Sequence, residues 1–156
     1  MNNKFRCNCP ITSALDILGD RWTLVIIKQM LIEGKKTFKD FSESEEAIAT
    51  NILSSRLKML EEFNIITKEK LLNNNKTNIY TLTQKGIALT PIIVELCIWG
   101  DVNMRDFQPE MIDGEYMDAL KNNKEKSILE LQKKYLEKTD SKKKTLTTIL
   151  NKNEKR

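Results

Sequence analysis

Apolar positions first recur at helical spacing near the amino end, where Ile11, Leu15 and Leu18 share one face and Gly19 followed by Asp20 closes the segment. A second helix is expected from Trp22 through Ile32, with Trp22, Val25, Ile26, Gln29 and Met30 in register, and Gly34 ahead of Lys35 and Lys36 ends it. Thr37 can cap a brief third helix over 38–41, followed by a polar stretch over 42–46. In the next helix Ile52, Leu53, Leu57 and Leu60 form an apolar stripe, while Thr50, Asn51, Ser54, Ser55 and Lys58 project from the other side. That helix should reach Phe63 or Asn64. The pattern then switches to alternation over 65–72 and 78–82 around a polar turn over 73–77, which predicts a β-hairpin. Thr83 can cap the following helix, carried by Ile87, Leu89, Ile92, Ile93, Leu96 and Trp99 despite Pro91.

From Gln108 the character changes. Pro109 and Gly114 are breaks, and a lysine-rich, helix-favouring stretch over 115–138 has sparse apolar positions at Met117, Leu120, Ile128, Leu131 and Tyr135. This reads as an appendage and not a second core. The tail over 141–156 carries six lysines and arginines against one acidic residue, and its Thr145, Leu146, Ile149 and Leu150 can either pair with a helix or fray. The expected class is mainly α with a small β-hairpin (α+β): a winged helix-turn-helix over 1–107, to which the resemblance given below adds dimerisation helices, and a helical extension over 108–156.

Composition narrows the function by exclusion. A chain of 156 residues with 40% hydrophobic positions can bury an ordinary core. There is no histidine, which removes Ser-His and Cys-His nucleophile pairs and most catalytic zinc sites. No Gly-rich phosphate loop or paired-carboxylate motif appears either, so no enzyme and no cofactor are expected. The amino end lacks a secretory pattern, and the apolar stretches over 24–31 and 92–99 are interrupted by Lys28 and Glu95 and too short to cross a bilayer. A cytoplasmic protein without membrane contact is expected. The net charge of +4 is modest for a nucleic-acid binder and decides nothing without its distribution.

Several motifs in order then carry a resemblance: Cys9-Pro10-Ile11, Leu18-Gly19-Asp20-Arg21-Trp22-Thr23, the run over 48–57, Leu60-Glu61-Glu62, and the run over 80–86 ending Thr83-Gln84-Lys85-Gly86. Over residues 7–105 the chain closely resembles the HxlR-type family of MarR-like regulators. The resemblance implies a homodimer, built from the first helix, the helix after the wing and the carboxy-terminal helices, that binds a partly palindromic operator in double-stranded DNA. Two departures stand out: Ala49 replaces the serine of many members, removing one possible helix cap, and the region after Gln108 is longer than in compact members.

Within that layout the polar face of the fourth helix is the candidate reading surface. Thr50, Asn51, Ser54 and Ser55 can hydrogen-bond base edges or phosphates without bulk, and Arg56 and Lys58 can neutralise phosphate or reach a guanine. Arg56 can equally pair with Glu61 or Glu62. In the hairpin, Lys70, Lys76 and the amides of Asn73, Asn74 and Asn75 fit minor-groove or backbone contact, or simply form a polar tip. Lys35, Lys36 and Lys39 are phosphate candidates or solvated surface. Cys9 opens the first helix, where N–H groups favour a thiolate, and Arg6 is near in sequence. By resemblance Cys9 is the candidate for sensing oxidants or a small-molecule electrophile, with Cys7 as a resolving or inter-subunit partner, against the alternative of plain cysteines. Cys97 reads as core packing, and Trp22 and Trp99 as core or dimer-interface residues. A metal site from the three cysteines is disfavoured by the missing histidine. The competing reading is a winged-helix interaction module that holds an acidic partner with its lysine-rich tail.

Overall fold

A computed structural model describes residues 5–71, 74–112 and 114–153. The chain forms two compact units, Met1–Ala88 and Leu89–Arg156. In the first, α1 (Pro10–Leu18) begins with proline at its first turn and is closed by the Gly19 N–H on the Leu15 carbonyl. None of α1 is buried, and Ile11 and Leu15 are 72% and 53% exposed, so its apolar face is open among the described residues of this unit. α2 (Thr23–Lys28) then widens into a π-helical turn over Gln29–Glu33. The expected helix over 22–32 is therefore two geometries, and the wider turn carries Gln29 fully inside. Gly34 ends it at φ +71°, a left-handed conformation that an added side chain would strain.

α3 (Phe38–Ser42) is held by a reciprocal capping box: Thr37 Oγ1 accepts the Asp40 N–H at 3.1 Å, and Asp40 accepts the Thr37 N–H at 2.9 Å. α4 (Thr50–Glu62) buries Leu53, Leu57 and Leu60, three positions at the spacing of one helical face. It ends in a Schellman turn, with Asn64 at φ +55°, the Ile65 N–H on the Leu60 carbonyl at 2.9 Å and the Asn64 N–H on the Glu61 carbonyl at 3.0 Å. Leu60 and Ile65 are both buried at that turn, which fixes where the chain enters the hairpin.

The hairpin pairs β1 (Ile66–Leu71) with β2 (Asn74–Leu82) antiparallel, Ile66 opposite Leu82 and Lys70 opposite Asn78, with an irregularity after Lys70. A single bridge joins Thr37 to Ile79, and the Tyr80 N–H reaches the Lys36 carbonyl at 2.7 Å. This attaches the base of the wing to the start of α3, where Phe41 and Tyr80 meet edge to face at 6.3 Å. α5 (Gln84–Ile87) is capped by Thr83 and is only one turn long. The single helix expected after the wing is thus broken at Ala88 and Leu89, and its main part is α6 (Thr90–Asn103), with Pro91 in its first turn.

In the second unit α6 packs with α7 (Glu115–Asn122) and α8 (Lys124–Asn153). Val94, Met117 and Leu120 are buried together, with Cys97, Ile98, Ile128 and Leu131 against them. This differs from the reading of the extension as an appendage without a core: its sparse apolar positions meet α6 and share a small core with it. Asp101, buried on α6, binds both Arg105 and Lys121, and Arg105 also donates to the Met111 and Ile112 carbonyls at 3.2 and 3.0 Å. The segment Gln84–Asn103 reaches the length and mean hydropathy of a membrane span, contrary to the estimate from 92–99 alone. The break before Thr90 leaves α6 only 14 residues, and it carries Glu95 and Asp101, so it falls short of the roughly 20 apolar residues that crossing needs.

Gly86 lies so close to the Ile65 carbonyl that a β-carbon there would sit 2.4 Å from its oxygen. Gly86→Ala is expected to destabilise the protein by about 1–3 kcal/mol through overpacking, read as a lower urea midpoint at unchanged slope. An unchanged midpoint would mean that the α5 approach is not tight.

Candidate nucleic-acid interface

α4 separates two chemistries on one cylinder. Its leucines face the core, while Thr50, Asn51, Ser54, Ser55 and Lys58 are all exposed. The helix starts from Ala49 without a side-chain cap, so its first-turn N–H groups are not taken up by a capping side chain. Short polar side chains beside an uncapped, electropositive helix start can approach an edge of stacked bases and the phosphates beside it.

Arg56 belongs to a different set. It is half-buried, its Nε lies 3.5 Å from Asp20 Oδ1, and Nη1 points at the Met59 sulfur at 3.8 Å. Its partner is therefore Asp20 on the approach to α2, and not Glu61 or Glu62. Asp20 also accepts the N–H groups of Trp22 and Thr23 at 2.8 and 3.1 Å and the Thr23 hydroxyl. Burial pushes this carboxyl up, but those donors and the Arg56 guanidinium outweigh it and hold Asp20 below the usual carboxylate range. The sequence reading gave Asp20 a place in the stop after α1 and in the motif over 18–23, but no partner. The overlooked signal is an Asp just before an apolar helix, an arrangement in which the carboxylate serves the new helix's N–H groups.

A second brace lies beneath the turn before α4. Lys28 binds Glu33 at 2.6 Å and also Glu46, and Gln29 donates to the other Glu46 oxygen at 2.7 Å. Burial raises the Glu46 carboxyl, yet Lys28, then the Glu46 backbone N–H and Gln29 prevail and bring it down to about 2. Ala47 follows at φ +52°, a conformation rare for residues with a side chain, so the brace holds a turn the local sequence does not favour.

The wing candidates divide. Lys70 and Lys76 are exposed along the hairpin. Asn74 is occupied by the turn itself, its Oδ1 accepting the Lys76 N–H at 3.0 Å and its Nδ2 donating to Thr77 at 3.1 Å. Asn75 follows on β2, and Asn73 lies outside the described residues. Of the lysines beside α3, Lys35 pairs with Glu33 at 3.0 Å and Lys39 with Glu43 at 3.7 Å, and the Lys36 N–H donates to Asp40 at 3.1 Å.

Cys7 and Cys9 are both exposed at the start of α1. The Cys9 N–H donates to the Cys7 sulfur at 3.4 Å and, followed by the Thr12 hydroxyl, holds the Cys7 thiol below its usual value. The N–H and hydroxyl of Thr12 and then the N–H of Ile11 do the same for Cys9. Arg6 is not the principal cause for either: its backbone N–H and its guanidinium both bind Asp16. Cys97 is the opposite case, raised by burial and then by Asp101, with its sulfur 3.7 Å from that of Met117. Among the described residues no cluster of three metal-ligating side chains occurs. Trp22 is half-buried with Arg21 over its ring at 5.1 Å, whereas Trp99 is 57% exposed and lines an open apolar depression with Pro91, Ile92, Glu95 and Leu96.

Residues 17–108 match the model of the HxlR-like helix-turn-helix family, more than half of the chain. The chain belongs to that family. It is a helix-turn-helix transcription regulator. Over 94 residues it is 39% identical to the HTH-type transcriptional regulator YodB of Bacillus subtilis (strain 168), covering 60% of this chain and 83% of YodB. The reduced form of YodB superposes with a TM-score of 0.51 at 37% identity, covering 62% of this chain and 95% of that one. The redox regulator HypR in its reduced form gives 0.55 at 28% identity, over 65% and 99% of the two chains. The crystal structure of PA1607 gives 0.60 at 31% identity, over 70% and 74%. The family match takes in α4, the wing and α6, and stops short of Cys7, Cys9 and the helices after residue 108.

The Glu46 brace predicts an acid limb of stability. Unfolded Glu46 takes up a proton near 4.5 and the folded form only near 2, so its contribution is present above pH 4.5 and is lost as pH falls toward 2. Glu46→Gln should be less stable than the parent at neutral pH, and the difference should shrink steadily between pH 4.5 and 2 in urea titrations. A constant difference across that window would show that the carboxylate charge is not what matters.

Proposed function

We propose that this regulator is a homodimer that binds a partly palindromic operator in duplex DNA through α4, with the wing beside it, and that oxidation at Cys9 switches the binding. It acts by binding in the cytoplasm and turns over no substrate. The observation that carries the reading is the division of α4: Leu53, Leu57 and Leu60 are buried, while Thr50, Asn51, Ser54, Ser55 and Lys58 form a continuous exposed face of small hydrogen-bonding groups and one cation. Lys70, Lys76 and Asn75 serve position more than sequence, Asn74 shapes the turn that presents them, and Arg56 acts indirectly by holding α4 against Asp20.

Two uncovered apolar faces support a second copy as partner. On α1 they are Ile11 and Leu15. On α6, Ile92, Leu96 and Trp99 follow one another at helical spacing, and Val102 adds a 65% exposed position. A two-fold dimer reads two related half-sites, hence the palindrome.

The switch rests on two exposed thiols whose charged forms are favoured, and on the redox character of the relatives. HypR is a redox regulator, and YodB has been captured bound to quinone, in a form that superposes with a TM-score of 0.51. In this chain Cys9 thiolate would attack an oxidant such as a diazene, forming an S–N bond. Cys7 thiolate would then attack the Cys9 sulfur, closing the disulfide and releasing the hydrazine, which takes both electrons and two protons.

Asn51→Ala and Ser54→Ala should each weaken operator binding by about 1–3 kcal/mol while shifting folding stability by no more than about 0.5 kcal/mol. Fluorescence anisotropy on the intergenic duplex, against scrambled DNA, reads the first and urea unfolding the second. Diamide should change operator affinity of the parent but not of Cys9→Ser. If both proteins respond alike the thiol switch is wrong, and if the parent shows no preference over scrambled duplexes the operator reading is wrong.

A further inference from the structure

The two exposed thiols lie outside the part of the chain that the family model covers, which begins at residue 17. Cys7 and Cys9 are separated only by Asn8, on a segment that is held in place before α1 starts. The Cys7 carbonyl accepts the Ser13 hydroxyl at 3.3 Å, the Cys9 carbonyl accepts the Ser13 N–H at 2.9 Å, and Arg6 is tied to Asp16 by both its backbone N–H and its guanidinium. α1 therefore grips the segment ahead of it at two points, and Pro10 removes a backbone freedom at the junction.

The sulfurs themselves converge. The Cys9 N–H donates to the Cys7 sulfur at 3.4 Å, and the Thr12 hydroxyl lies against both thiols. Two sulfurs that share one hydroxyl stand on the same side of the helix start, and both are open to solvent. The donors around them favour thiolate, the form that binds soft acceptors. No third ligand joins the pair. The chain has no histidine, no three metal-ligating side chains come together among the described residues, and the nearby Asp16 carboxylate is taken by Arg6. A four-coordinate ion such as zinc would lack half its ligands here. Cys97 is of another kind, half-buried with its sulfur 3.7 Å from that of Met117.

We propose that Cys7 and Cys9 form a chelating dithiol for a trivalent arsenical bearing one organic substituent, an acceptor that needs two sulfurs and no more. The bound form is reached without oxidation. Two As–S bonds form and two As–OH bonds break, each hydroxyl leaves as water with one thiol proton, and arsenic stays trivalent. Once one sulfur is attached, the second closes an intramolecular ring, so it acts at an effective concentration of about a millimolar or above, which a free monothiol must match to compete. The segment is already held with both sulfurs on one side, so little ordering is left to be done on binding. This site shares Cys9 with the oxidative switch but needs neither an oxidant nor DNA.

The test treats the reduced full-length chain with one equivalent of phenylarsine oxide, which hydrates to the diol, beside Cys7→Ser, Cys9→Ser and Cys97→Ser. Intact-mass spectrometry counts adducts per chain before and after glutathione at about 1 mM, near the effective concentration of a tethered thiol. The parent and Cys97→Ser should each hold one adduct that survives glutathione and is removed by dimercaptopropanol. Cys7→Ser and Cys9→Ser should each hold it at least roughly 100-fold more weakly. Circular dichroism should be unchanged in both, because both positions are exposed. A parent without a glutathione-resistant adduct would overturn the proposal. So would an adduct that persists in Cys7→Ser or Cys9→Ser, one lost in Cys97→Ser, or one that joins two chains. If diamide leaves operator affinity unchanged, the oxidative switch fails by itself, while the retained adduct still decides the dithiol site.

Discussion

The leucine stripe of α4 is the constraint from which the rest follows. Burying Leu53, Leu57 and Leu60 contributes about 1.5–3 kcal/mol each, and because the three lie on one face, it fixes the rotation of the helix about its own axis. Once that rotation is set, Thr50, Asn51, Ser54 and Ser55 have no option but to face outward. A helix rich in serine and threonine is a weak helix by intrinsic preference. It is maintained here by tertiary burial, which allows its outer surface to be chosen for hydrogen bonding and not for helix formation.

Electrostatic ties refine what burial begins. Asp20 gathers the start of α2 and Arg56 of α4 around one carboxylate, while Glu46, gripped by Lys28 and Gln29, steadies the turn that delivers the chain into α4. The wing is fastened to the same frame by the Tyr80 N–H on Lys36 and by the Phe41 ring against Tyr80. Partly buried carboxylates surrounded by several donors are dependable braces only while ionised, so the frame is built for neutral pH.

Periodicity made the elements of the first unit legible, because each has one face that must be buried and so repeats at 3.6 or 2 residues. The polar face of α4 could be read for the same reason: it is what remains when the buried stripe is removed. Tertiary detail was less accessible. Nothing in Lys28, Gln29 and Glu46 announces that they meet, and Asp20 looked like an ending because its carboxylate accepts the N–H groups of Trp22 and Thr23 at the entry to the next helix. Arg56 has the spacing of a DNA contact, yet its guanidinium is committed across to α2, a partner 36 positions away in the chain. The extension was misjudged because its apolar residues are too few to pack alone. They bury only when α6 supplies Val94, Cys97 and Ile98, and single-segment periodicity cannot show such sharing.

Selection from a random pool of duplexes by the parent protein, repeated with Asn51→Ala, tests most directly the claim that the outer face of α4 reads base sequence. The account predicts that the parent enriches a motif with two related halves, and that Asn51→Ala loses base preference at matching positions in both halves while the rest of the motif survives. A motif identical for the two proteins, or no enriched motif from the parent, would contradict it.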